Sequence, residues 1–60
     1  MEDYERLREL VETAAEDVAK ASGGNKAAGT RVRKAMQDVK DAAQTVRKKI
    51  LEVRSEQQTT

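Results

Sequence analysis

Tyr4, Leu7, Val11, Ala14, Val18 and Ala21 recur at alternating steps of three and four. That spacing keeps one side of an α-helix apolar. Leu10 and Ala15 widen the stripe. Glu2 and Asp3 suit a helix start, where the backbone dipole favours negative charge. Glu2–Arg6 and Glu16–Lys20 stand four apart, the spacing that pairs side chains along a helix. A first helix is predicted over residues 2–22.

Ser22-Gly23-Gly24-Asn25 interrupts the pattern. Glycine past a helix end accepts the left-handed backbone that stops the helix, and Asn is a good N-cap for the next one. So short a corner, over residues 23–25, favours two antiparallel neighbours. The apolar pattern then resumes. Val32, Val39, Val46 and Val53 lie seven apart, with Ala35 and Ala42 three beyond a Val and Met36, Ala43 and Ile50 four beyond one. This heptad seam, widened to a face, predicts a second helix over residues 26–56, its Ala positions letting a partner helix come close. Residues 57–60 are polar and expected to fray. The predicted class is all-α: an antiparallel helical hairpin, in one small domain over residues 1–60.

Helix length changes that picture. At about 1.5 Å per residue the first helix spans about 30 Å and the second about 45 Å. The first can cover the second only to about residue 46. Ile50, Leu51 and Val53 would stand bare, and Leu51 also points away from the Val seam. A monomer of this length has a thin core. The expectation is a homodimer, a four-helix coiled-coil-like bundle with two-fold symmetry, joined through Val46, Ile50, Leu51 and Val53. A monomeric hairpin with a frayed end is the alternative.

Composition narrows the chemistry. The 60 residues include no Cys, no His, no Pro, no Phe, no Trp and a single Tyr. Without Cys there is no disulfide or thiolate chemistry, and without His the commonest metal ligand and general base are missing. An enzyme with a pocket is therefore not expected, nor a cofactor, a metal or a small-molecule substrate. No apolar run approaches the roughly 20 residues of a membrane span, and the acidic start is unlike a signal peptide. The second helix is basic but lacks the bulky aromatics that anchor a membrane-surface helix, so no membrane partner is expected.

Net charge is +1, yet the halves differ. Residues 1–24 hold seven acids and three bases, a net of −4; residues 25–60 hold nine bases and four acids, a net of +5. Lys26, Arg33, Lys40, Arg47 and Arg54 also lie seven apart. On a helix they form a line of cations beside the apolar face, about 10.5 Å per step. Lys34 has Asp38 within helical reach, and Lys48 and Lys49 have Glu52. None of the five, nor Arg31, has an acid three or four residues away. Either the line pairs across the hairpin with Glu5, Glu9, Glu12 and Glu16, or it faces an external anion. Those acids mostly fall opposite the apolar stripe, which weighs against the first.

The start of the second helix carries Lys26, Arg31, Arg33 and Lys34 and no acid, the reverse of the usual preference. Free amides at a helix N-terminus attract anions, phosphate above all. Gly29, inside the predicted helix, costs roughly 1 kcal/mol relative to Ala. Either it lets a backbone or phosphate approach, or the helix starts late with Thr30 as its cap.

The run Gly24-Asn25-Lys26-Ala27-Ala28-Gly29-Thr30-Arg31-Val32-Arg33-Lys34-Ala35 resembles the characteristic segment of the chlamydial-type bacterial histones, which are linker-histone-like DNA-binding proteins. The likeness extends to an acidic amphipathic helix, a Gly-Asn-Lys corner and a basic second helix. Gly24, Asn25, Lys26, Gly29, Arg31, Arg33 and Lys34 match the motif. The resemblance implies a nucleoid-associated protein of the bacterial cytoplasm that binds and compacts double-stranded DNA. The chlamydial members carry a long Lys- and Ala-rich tail after this region; here the chain stops at Thr60, so binding is expected from the folded part alone. Nothing suggests base reading: there is no helix-turn-helix spacing, zinc ligand set or aromatic stacking platform. The expected phosphate contacts are Lys26, Arg31, Arg33 and Lys34, with Lys40, Arg47 and Arg54 extending the track. The alternative is a helical dimerisation module that binds other proteins and has no nucleic-acid role.

Overall fold

The computed structural model describes residues 1–58, with side chains to residue 54. Two helices, α1 (Glu2–Ser22) and α2 (Lys26–Gln58), pack against each other as an antiparallel hairpin 53 Å long and 14 × 12 Å in section. Helix α2 runs two residues past its expected end; Thr59 and Thr60, at the end of the predicted frayed tail, lie outside the described residues.

The corner explains the hairpin. Gly24 has φ +98°, the left-handed backbone that side chains disfavour. The Gly24 N–H donates to Ala21 O (3.0 Å) and the Asn25 N–H to Lys20 O (3.1 Å). These two bonds make a Schellman motif, which satisfies the last carbonyls of α1. Asn25 then caps α2: its Oδ1 accepts from the Ala28 N–H at 2.9 Å. One residue thus closes one helix and opens the next. The late start at Thr30 is overturned, since α2 begins at Lys26 and the Thr30 hydroxyl donates back to Lys26 O, one turn earlier.

The contact face of α1 differs from the predicted stripe. Leu7, Leu10, Ala14, Asp17 and Ala21 turn toward α2 and are buried or half-buried, whereas Tyr4, Val11 and Val18 are exposed. At about 100° per residue, the seam is rotated by about 50° from the centre of the apolar stripe. The α2 seam is Ala28, Val32, Ala35, Val39, Ala42 and Val46. Among the described residues only Ala14, Ala28 and Ala42 are buried, and no large side chain is fully buried. Alanine at the tightest points lets the backbones approach, but it contributes little apolar area. Val46 is half-buried by its own chain, while Ile50, Leu51 and Val53 lie past the cover of α1 and are exposed.

Candidate nucleic-acid interface

Helix α2 sets the basic line. Lys26, Arg33, Lys40, Arg47 and Arg54 are all exposed on one edge of the hairpin. Each heptad falls about 20° short of two full turns, so the line winds slowly around a straight helix. Lys34 is exposed too, about 100° round the helix from Arg33.

Arg31 sits elsewhere. Two residues from Arg33, it lies about 160° round the helix. Its Nε donates to Asp17 Oδ2 (3.1 Å) and its Nη2 to Asp17 Oδ1 (2.9 Å). This two-pronged pair ties α1 to α2 near the corner. It leaves Nη1 without a protein acceptor among the described residues, on a side chain 53% exposed. The hydrogen bonds from Arg31 hold the Asp17 carboxyl below its ordinary value, and the carboxylate in turn raises the guanidinium.

Cross-hairpin pairing therefore exists, but through another acid. Glu5, Glu9, Glu12 and Glu16 form no ion pair with α2 among the described residues. Glu12 takes Arg8 and Glu16 takes Lys20, both along α1. Asp17 is not among the four acids that the sequence reading set against the basic line. Its signal was its register: it stands three after Ala14 and seven after Leu10, on the seam. The expected pairs inside α2 are also corrected. Lys34 does not meet Asp38, nor Lys48 or Lys49 Glu52, within 4.0 Å, and Asp41 is instead bonded by Gln37. Such exposed pairs gain little in water, and side-chain entropy works against them. Arg31 is thus the sole α2 cation in an ion pair among the described residues.

At the corner, the Ala28 and Gly29 amides are taken by Asn25. Those of Lys26 and Ala27 have no protein acceptor among the described residues. An anion would meet two free N–H groups, the Lys26 side chain and the positive end of the helix dipole. At the far end, Val46, Arg47, Ile50, Leu51 and Arg54 line a shallow groove, apolar between two guanidinium groups. The described residues hold no cluster of metal-ligating side chains and no helix long and apolar enough to cross a membrane.

An acidic helix, a Schellman–Asn corner and a long helix with a cationic edge define a small basic-edged helical hairpin. The family model for histone H1-like protein Hc1 matches residues 1–56, and the chain belongs to that family. The family is one of histone-like, DNA-binding nucleoid proteins of the chlamydial type. Among curated proteins and solved structures, no match was found.

Proposed function

We propose that this chain binds double-stranded DNA without sequence preference, as a homodimer in the bacterial cytoplasm, and helps compact the nucleoid. One observation carries the reading. Lys26, Arg33, Lys34, Lys40, Arg47 and Arg54 are exposed on α2, and none has an acid within 4.0 Å among the described residues. Unpaired cations on a rigid helix are ready to replace the counterions of a polyanion, and phosphate contact alone gives affinity without base reading.

The line Lys26, Arg33, Lys40, Arg47, Arg54 is the main track, with Lys34 beside it. The corner amides of Lys26 and Ala27 take a further phosphate, and Arg31 reaches one through Nη1 while keeping Asp17. A heptad rises about 10.5 Å, roughly three phosphates of one strand at about 3.4 Å each. The whole line, about 42 Å long, exceeds one duplex turn of about 34–36 Å. A straight helix therefore meets phosphates only where a strand crosses it, and fewer than all the cations engage at once.

The test is fluorescence anisotropy of a random-sequence duplex at several salt concentrations. The expected log–log slope lies between about −2 and −4, as for two to four phosphate contacts. Arg33→Glu with Arg47→Glu should abolish most of the binding without loss of helix, because neither side chain has an ion-pair partner within its own hairpin among the described residues. No binding at low salt would leave a protein-interaction module, a reading favoured by the apolar groove at Val46, Ile50 and Leu51.

A further inference from the structure

The rotated seam leaves apolar side chains over. Tyr4, Val11 and Val18 on α1, and Met36 and Ile50 on α2, are between 40% and 56% exposed. Their positions are not random. Seen from its own N-terminus, each helix turns clockwise by about 100° per residue. Tyr4, Val11 and Val18 stand about 60–100° clockwise of the α1 seam, and Gly29, Met36, Ala43 and Ile50 about 40–100° clockwise of the α2 seam. In an antiparallel pair, equal offsets in the same sense fall on the same side. Asp17 and Arg31 bear this out: both are offset the other way, and they meet on the opposite side at 2.9 Å. The hairpin thus has one polar side, closed by that ion pair, and one apolar side made by both helices.

Levels along the hairpin sharpen the pattern. Counted from the Asp17–Arg31 pair, and to within about one residue's rise of ~1.5 Å, Val18 is level with Gly29, Val11 with Met36 and Tyr4 with Ala43. The largest side chain of α1 is level with an alanine, and a valine with a glycine. Space inside the chain does not require glycine at residue 29. A Cβ built there would meet nothing within 4 Å, yet glycine weakens a helix interior by roughly 1 kcal/mol.

We propose that a second copy of this chain docks on this apolar side, with the two-fold axis parallel to the helices, so that each α1 lies against the partner's α2. The proposal rests on the homodimer reading above and adds its face and its axis. Three observations select this occupant. Among its described residues the hairpin fully buries no large side chain, so its own core is thin for a chain of 60 residues and needs further apolar cover. An axis along the helices preserves levels, so Val18 enters the gap at Gly29 of the other copy and Tyr4 the gap at Ala43. The same axis sets the acidic edge of α1, with Glu5, Glu12 and Glu16, beside the other copy's Lys26, Arg33 and Lys40. An axis across the helices would stack acid edge on acid edge and basic edge on basic edge. The chosen axis also carries the two basic lines to opposite edges of the bundle, the placement that bridges two duplexes. It sets the α2 ends parallel, with Ile50 turned toward its own counterpart across the axis.

The chain has no cysteine, so single-cysteine variants report cleanly. Sedimentation of the wild type and of Val11→Glu is combined with oxidation of Ile50→Cys and Val11→Cys, each read as a disulfide-linked dimer on a non-reducing gel. The expected results are a dimeric wild type, dissociation of Val11→Glu raised about ten-fold or more, linkage of Ile50→Cys and none of Val11→Cys. Linkage of Val11→Cys without Ile50→Cys overturns the axis, because mid-helix Val11 meets itself only about a crossing axis. A wild-type dimer that Val11→Glu leaves equally tight overturns the face and spares the homodimer. A wild type that stays monomeric at millimolar concentration overturns both.

Discussion

At the corner, Gly24 holds φ +98° with nothing within 4 Å of where a Cβ would stand, whereas Gly23 holds φ −83° with Lys20 O at 3.5 Å from its own. Space is not what separates them; backbone conformation is. Gly24→Ala is expected to destabilise the hairpin by about 1–2 kcal/mol, the strain of a side chain in the left-handed region. Gly23→Ala is expected to be neutral or to stabilise by up to ~1 kcal/mol, since it narrows the unfolded chain at no native cost. Urea denaturation of the two variants side by side checks this, and equal effects would contradict it. Asp17 supplies a pH dependence. Its folded pKa lies below the ordinary 3.8, so the ionised form is favoured by folding. The stabilisation is fully present above the unfolded value and is lost as pH falls through the folded one. Thermal melts of Asp17→Asn against wild type should therefore begin to converge as pH falls below about 4 and meet only once it has passed the lower folded value, while wild type stays the more stable at neutral pH. A gap that persists at pH 2 would show that the carboxylate charge is not the cause.

Both helices and the corner between them were legible in the sequence, since their apolar periods, the acidic start and the Gly-Gly-Asn stop all agree. The rotation of α1 was not. Its apolar set, from Tyr4 to Ala21, covers two neighbouring faces, and a periodicity averages them into one stripe. What separates the faces is pairwise: the packing that brings Asp17 to Arg31 has Leu10 turned inward and Val11 outward, and neither helix alone records it. The cationic line was legible for a similar reason: it depends on α2 alone. Which cation of α2 would be tied to α1 depended on both helices, so the pairing of Arg31 with Asp17 could not be read from α2 alone. Asn25 joins the two elements and yields a test at that scale. Asn25→Ala removes the cap on the Ala28 amide and is expected to cost about 1 kcal/mol. Asn25→Asp keeps the cap and adds negative charge at the positive end of α2, stabilising by about 0.3–1 kcal/mol. If the corner takes phosphate, the same aspartate repels it. Melting temperature and DNA affinity should then move in opposite directions, and a variant that gains both would remove the corner from the DNA interface.

For the molecule as a whole, what matters is how little it buries. A hairpin closed on Ala14, Ala28 and Ala42 gains the close approach of two backbones but little apolar area. Its remaining apolar side chains lie on one side and along the end of α2, where a second copy would cover them. When folding and association are coupled in this way, stability becomes a function of concentration. The melting temperature of the wild type, followed by circular dichroism from about 5 to 500 µM, should rise steadily with concentration, because each tenfold increase adds about 1.4 kcal/mol to a dimer's stability. Salt should act in the opposite sense on the two proposed activities. Apolar docking persists or strengthens as salt is raised, whereas phosphate contact weakens steeply. At high salt the chain is therefore expected to remain a dimer and release DNA. Loss of the dimer together with DNA release would instead mean that the pairing of acidic and basic edges, and not the apolar side, holds the two copies together.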